Sequence, residues 1–121
     1  MAAPRRLHLK LNFLSAGSHA AAWLWPGIRP EAFVDPAYLV ETARLAEPGT
    51  LDAIFLADHP SMQSRSDFGP FQALEPSIVL TAIAGATRHI GLIGTISSSC
   101  NAPYNIARRF ASLDIISGGR A

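Results

Sequence analysis

Leu51-Asp52-Ala53-Ile54-Phe55-Leu56-Ala57-Asp58-His59-Pro60 decides how the whole chain is read. Ile54 to Ala57 are apolar in succession and run straight into a carboxylate, an imidazole and a proline. An apolar run without polar alternation predicts a strand over 51–57 covered on both faces, as in a parallel α/β sheet. Asp58 then falls at the carboxyl end of that strand, where open α/β sheets and α/β barrels hold their ligands. An acid in an Ala-Asp-His-Pro corner serves equally well as a turn or cap residue, so its position alone leaves both roles open.

Upstream of this strand, Asp35-Pro36 predicts a helix start, with the acid as N-cap and proline at the first helical position. The helix continues through Ala37 to Glu47, with Leu39, Ala43 and Ala46 on the inward face and Glu41 and Arg44 toward solvent. Glu47-Pro48-Gly49 stops it, and glycine is expected to permit the turn. About 12 helical residues span roughly 18 Å, enough to run back along a strand of roughly 20 Å. Before that, Leu7 to Leu14 alternates, with Leu7, Leu9, Leu11 and Phe13 on one face, and predicts a first strand. Ser15 to His19 reads as a turn. The Pro/Gly-rich connection after it carries Trp23 and Trp25, an ordered loop or a lid over a site.

Downstream, 61–73 is polar and contains Gly69-Pro70, so it reads as a loop. Glu75-Pro76 opens a second helix to about Thr87, expected to turn Ile78, Ala82 and Ala86 inward with Val79 and Ile83 beside them. Ile90 to Ile96 predicts a third strand, which ends in Ser97-Ser98-Ser99-Cys100-Asn101. A third helix starts near Pro103 and stops at Ser117-Gly118-Gly119, since glycine is the usual C-terminal signal. Strand and helix thus alternate three times at a spacing of about 40 residues, which predicts right-handed βαβ units, a parallel sheet and the α/β fold class.

In a parallel sheet the strand carboxyl ends share one rim. Ser15, Ser18 and His19 follow the first strand, Asp58 and His59 the second, and Thr95 to Asn101 surround the end of the third. That convergence is the functional signal in the residues themselves, and it implies a small-molecule site. Each member also has a plainer role: His19 as a solvated loop residue, His59 as a structural neighbour of Pro60, Thr95 as a strand residue. Trp23 and Trp25 serve as loop anchors, Arg108 and Arg109 as a solvated helix face, and Cys100 as a small filler.

Other classes are excluded. With 121 residues, 16% of them charged, and a formal net charge of +1, the chain has no basic patch for nucleic acid. No stretch approaches the ~18–20 uninterrupted apolar residues of a membrane span. Met1 to Arg6 faintly imitates a secretory leader, but His8, Lys10 and Asn12 interrupt the apolar stretch behind it. Cys100 is the only cysteine, which rules out a disulfide framework or thiolate metal site and points to a reducing cytoplasm. The four histidines lack metal-ligand spacing, and no dinucleotide, P-loop or nucleophile-elbow motif occurs.

Several of these stretches resemble one family. Ser18-His19 with Trp23, Tyr38 to Glu47, Phe55-Leu56-Ala57-Asp58, Leu74-Glu75-Pro76, Ile90-Gly91-Leu92 and Asn101-Ala102-Pro103-Tyr104-Asn105 stand in the matching order. Ala107-Arg108-Arg109-Phe110-Ala111-Ser112-Leu113-Asp114 with Ser117-Gly118-Gly119-Arg120-Ala121 is the strongest match. The chain resembles the N-terminal part of flavin-dependent monooxygenases of the nitrilotriacetate and dibenzothiophene-sulfone monooxygenase group, within the bacterial luciferase-like superfamily. The resemblance implies a (β/α)8 barrel that binds reduced FMN at its carboxyl-end rim and uses O2 to oxygenate a small organic substrate. It also implies a separate NAD(P)H-dependent flavin reductase and a homo-oligomeric full-length protein. Asp58 matches the flavin-contacting acid, Thr95 falls where the third strand meets the cofactor, and His19 lies in the loop bordering the substrate pocket. Pro48, Thr50, Cys100, Ala102 and the short 61–73 loop depart from the pattern, which bears on substrate choice more than on fold.

Three β/α units cannot close a barrel, which needs about 200 residues or more. The expectation is therefore the first three units of a (β/α)8 barrel, with residues 1–121 as its N-terminal fragment. The fourth strand, the phosphate-binding region and later flavin contacts would lie beyond Ala121. Two other readings start from the same residues: a short non-catalytic α/β module that assembles through its open edges, and a barrel reductase using F420 or flavin.

Overall fold

The strand singled out by its apolar run is the central one. In the computed structural model, which describes residues 6–14, 17–19, 21–60 and 74–121, three strands form one sheet in the order β1-β2-β3. They are β1 (Lys10–Asn12), β2 (Ala53–Leu56) and β3 (Gly91–Gly94), and both pairings are parallel. Helices α1 (Pro36–Ala46), α2 (Pro76–Ala86) and α3 (Pro103–Ser117) alternate with them. The α/β class, the parallel sheet and the three β/α units are those the sequence predicts. The strands are shorter than their apolar runs, but flanking hydrogen bonds from Asp52 N to Leu9 O (2.8 Å) and Phe13 N to Phe55 O (3.0 Å) extend the first ladder. The proposed loop at 61–73, and Ser15, lie outside the described residues.

Register places Leu11, Ile54 and Leu92 side by side on the face toward the helices. Ile54 and Leu92 are buried there with Leu39, Ala43 and Ala46 of α1, Val79, Leu80, Ile83 and Ala84 of α2, and Leu113 of α3. Because side chains alternate along a strand, Lys10, Asn12, Phe55 and Ile93 take the other face. Lys10 Nζ sits 4.6 Å from the centre of the Phe55 ring, and Ile93 is 40% exposed. The expectation that β2 is covered on both faces is therefore corrected: among the described residues only one face is covered. Three strands are too few to curl over their own inner face, which in a closed barrel becomes the interior.

Helix α1 follows its pattern. Asp35 Oδ1 accepts the Ala37 N–H at 2.9 Å as N-cap, and Leu39, Ala43 and Ala46 are buried. Its end differs in one respect: the left-handed residue is Thr50 (φ 61°), not Gly49. Gly49 is needed for closeness instead, since a Cβ there would lie 3.2 Å from the Ala46 carbonyl oxygen. Helix α2 is rotated from the expected face. Pro76, Ser77, Val79, Leu80, Ile83 and Ala84 are buried, while Ile78 is 71% exposed and Ala82 is exposed. Its sequence is apolar almost all round, so periodicity alone does not choose a face. The choice is made by the sheet: Gly94 lets Leu80 and Phe110 close onto β3, and a Cβ there would lie 2.8 Å from Leu80 Cδ1.

Helix α3 ends as its glycines predict. Gly118 (φ 72°) and Gly119 (φ 86°) are left-handed, and their N–H groups bond Ile115 O (3.2 Å) and Asp114 O (2.9 Å). The chain then turns back so that Leu92 N donates to Arg120 O at 2.8 Å. The backbone at Arg120 thus lies along the outer edge of β3, where a fourth parallel strand would pair. The Trp-containing connection folds as two 3-10 turns, Ala22–Leu24 and Pro30–Phe33, with Trp25 73% exposed. No helix among the described residues is long and apolar enough to cross a membrane.

Candidate functional site

The carboxyl ends of β2 and β3 are tied together by the two residues the sequence singles out there. Thr95 N donates to Leu56 O at 3.1 Å, the last bond of the β2–β3 ladder. One step beyond the strands, Asp58 N donates to Thr95 Oγ1 at 2.6 Å, and Ser97 N donates to Asp58 Oδ2 at 3.1 Å. The Thr95 hydroxyl lies 3.4 Å from the Leu56 carbonyl oxygen, the acceptor for its own proton. The threonine is there because Leu92 and Gly94 face the helices, so Thr95 takes the inner side as the strand leaves the sheet. Asp58 is half-buried and Thr95 exposed.

The two roles left open for Asp58 therefore coexist. One carboxylate oxygen serves as a cap on the β3–α3 loop through Ser97. A carboxylate has acceptor sites beyond the one Ser97 takes, and at the rim these suit an N–H or O–H of a ligand. Sequence reasoning places Asp58 and Thr95 at strand ends, and the structure brings them into direct contact. Their hydrogen bond shows in neither local pattern, because it joins residues 37 apart in the chain.

His19 is not joined to this pair by any hydrogen bond among the described residues. It follows β1, the strand beside β2, and its bonds are local: Ala21 N donates to His19 Nδ1 at 3.1 Å, and Ala22 N to His19 O at 2.9 Å. An Nδ1 that accepts an N–H leaves the neutral ring's proton on Nε2, so the exposed imidazole presents a donor. His59 and Cys100 are also exposed.

Among the described residues, the most heavily bonded polar groups lie at the opposite end of the sheet, and the sequence reading does not find them. Glu47, just past α1, accepts from three successive backbone N–H groups with one oxygen: Arg88 (2.8 Å), His89 (2.6 Å) and Ile90 (3.1 Å). The His89 N–H does most to lower its pKa from 4.5 to about 2; partial burial opposes this, and the Ile90 and Arg88 N–H groups and the charge on His89 reinforce it. Arg120 Nε donates to Ser117 O, Nη1 to Thr87 Oγ1 and Ile90 O, and Nη2 to Ala84 O and Thr87 O, all within 2.7–3.2 Å. Its positive charge thereby meets the C-terminal carbonyls of α2 and α3, where helix dipoles favour a cation. Asp52, at the start of β2, accepts Leu9 N at 2.7 Å and lies 3.3 Å from His8 Nδ1, and the Leu9 N–H above all lowers its pKa. A charged residue just past a helix end was the available signal for Glu47 and Arg120.

Parallel β/α units with a polar carboxyl-end rim and a hydrogen-bonded amino end define the α/β class whose ligands sit at strand C-termini. The chain belongs to the luciferase-like monooxygenase family, whose model matches residues 8–121. It is 40% identical over 119 residues to N-acetyl-S-(2-succino)cysteine monooxygenase of Bacillus subtilis (strain 168), covering 97% of this chain and 27% of that protein. It is 39% identical to nitrilotriacetate monooxygenase component A of Aminobacter aminovorans, covering 100% of this chain and 29% of that protein. Among solved structures, EDTA monooxygenase from Chelativorans sp. BNC1 matches with a TM-score of 0.86 at 32% identity, over 96% of this chain and 27% of that one. A riboflavin lyase solved with modified FMN and riboflavin matches at 0.82 and 29% identity, over 96% of this chain and 28% of its own. The chain thus spans less than a third of the length of these relatives, and its fold is that of three consecutive units of a luciferase-like (β/α)8 barrel.

Proposed function

We propose that residues 1–121 form the N-terminal part of an FMN-dependent monooxygenase, which uses reduced FMN and O2 to oxygenate a small organic substrate. The observation that carries this reading is the Asp58–Thr95–Ser97 cluster joining two adjacent parallel strand ends at the ligand rim, in a chain of this family. The donor set fits a flavin. An isoalloxazine ring has an N–H flanked by carbonyl oxygens on one edge; a carboxylate oxygen accepts the N–H, and the Thr95 hydroxyl can donate to one carbonyl by giving up its long 3.4 Å contact with Leu56 O. Asp58 and Thr95 would hold that edge of the cofactor, and the Asp58 tie to Ser97 keeps the acceptor in place before a ligand arrives. When bound, the flavin supplies the oxygen chemistry. The protein's part is to orient it and exclude water. His19, with its Nε2 donor beside β1, borders the substrate pocket.

The riboflavin lyase structure holds a modified FMN, which supports the cofactor assignment. The nitrilotriacetate relative is a component A, a name that implies a second component, and we assign that role to a separate NAD(P)H-dependent flavin reductase in the cytoplasm. The Arg120 carbonyl on the β3 edge is where the remaining strands would begin. FMN titration followed by flavin fluorescence tests the division of the site. The 121-residue chain alone is expected to show no saturable binding at micromolar FMN, while the full-length protein binds and, with a flavin reductase and NAD(P)H, consumes O2 in the presence of substrate. Saturable binding by the short chain, or no substrate-linked O2 uptake by the full-length protein, would contradict the proposal.

A further inference from the structure

Ser97, whose N–H meets the Asp58 carboxylate, is held on its other side as well. Its carbonyl accepts Asn101 Nδ2 at 3.0 Å and, in the turn between them, Cys100 N at 3.3 Å. The other end of the Asn101 amide is engaged too: Oδ1 accepts Arg109 Nη1 at 3.4 Å. Arg109, near the middle of α3, lies 3.8 Å from Oε1 of Glu75, and Oε2 of that residue caps α2 through Ile78 N at 2.9 Å and Ser77 Oγ at 2.7 Å. A line of polar contacts therefore runs from the first turn of α2, through α3 and the β3–α3 loop, to the carboxylate of Asp58.

We propose that Asn101 is a positioning residue for Asp58, acting through the backbone of Ser97. This rests on the flavin reading of Asp58. A carboxylate turns readily about its last torsion, and the Ser97 N–H on Oδ2 selects one orientation. That N–H selects only if Ser97 itself is held, and the loop holds it at its carbonyl, in the next peptide plane. The Cys100 bond to the Ser97 carbonyl is long, and the Asn101 bond is the shorter tie. The side chain must donate to a carbonyl and accept from an arginine at once, which an amide does and a carboxylate or methyl group does not. Asn101 is half-buried, its two partners lie on one loop and the helix that follows it, and the core does not depend on it.

Two measurements on the full-length protein test this. The first is hydrogen exchange of the Ser97 amide in Asn101→Ala and in Asn101→Asp, which keeps the Arg109 acceptor and removes the donor. Exchange is expected to quicken about three- to tenfold in both, the worth of one hydrogen bond. The second is a cycle of FMN affinities with Asp58→Ala, Asn101→Ala and the double variant. Asn101→Ala alone should weaken FMN about three- to tenfold with the melting temperature little changed, and by less than about twofold once Asp58 is gone. Unchanged Ser97 exchange overturns the proposal. So do additive losses in the cycle, or a loss that merely follows a lower melting temperature. If Asp58→Ala alone leaves FMN affinity unchanged, the flavin reading of Asp58 fails and the positioning role falls with it. If Asp58→Ala weakens FMN while Asn101→Ala does not, only the positioning role fails.

Discussion

The two ends of this small sheet are held by polar groups of opposite character. At the amino end, Glu47 and Arg120 spend their charges on backbone: one carboxylate oxygen takes three N–H groups, and one guanidinium reaches four carbonyls and a hydroxyl. At the carboxyl end, Asp58 and Thr95 bond each other, Leu56 and Ser97 in a small local cluster that places a carboxylate at the rim. The first arrangement spreads its bonds over the backbone of several elements and fixes the chain. The second leaves capacity for something else to bind. In barrels of parallel β/α units the same split separates residues that stabilise from residues that act.

The comparison breaks first, if it breaks, at Arg120. Arg120→Met removes five hydrogen bonds and the cation that caps two helices, so thermal unfolding should show a loss of about 2–4 kcal/mol. That is roughly 10 °C in melting temperature for a domain of this size. Arg120→Lys should recover only part of it, since an ammonium cannot span the same acceptors. A change below about 1 kcal/mol would mean the amino end is not the clamp described.

Glu47→Gln comes next, with an expected cost of about 1–2 kcal/mol after allowing for partial solvent screening. Its pH dependence carries a definite sign. The folded pKa is lowered from 4.5 to about 2, so the stabilisation is fully present above pH 4.5 and is lost as pH falls through about 2. Acid titration of the melting temperature should therefore be flatter between those limits in Glu47→Gln than in the parent chain; parallel curves would contradict it. The smallest effect is expected at Asp52, whose exposed partners offer solvent an easy substitute. Asp52→Asn should move the melting temperature by no more than a degree or two, and a larger drop would show the first ladder to be more dependent on its edge than the geometry implies.

How much of this was legible in the sequence follows from how local each cause is. Asp35-Pro36, Glu75-Pro76 and Gly118-Gly119 act on backbone a few residues away, and all three helix boundaries they mark are observed. The inward face of α2 was misread because its burial is decided by Gly94 and Phe110, far along the chain, rather than by its own periodicity. The two-sided burial expected of β2 was a property of a closed barrel, and three strands supply only one covered face. At the rim, strand ends located Asp58 and Thr95, but their mutual contact and the Asn101 tie depend on how β2 and β3 align. Glu47 and Arg120 are not legible in the sequence because a charged residue past a helix end is ordinary until its distant partners are known.

The measurement that tests the division of labour most directly is the FMN affinity of Asp58→Ala in the full-length protein, taken beside its melting temperature. Removing this one half-buried rim carboxylate should weaken FMN by about tenfold or more while the melting temperature stays within a few degrees of the parent. Unchanged affinity, or a loss of affinity that only accompanies unfolding, would contradict a carboxyl end built to hold the cofactor.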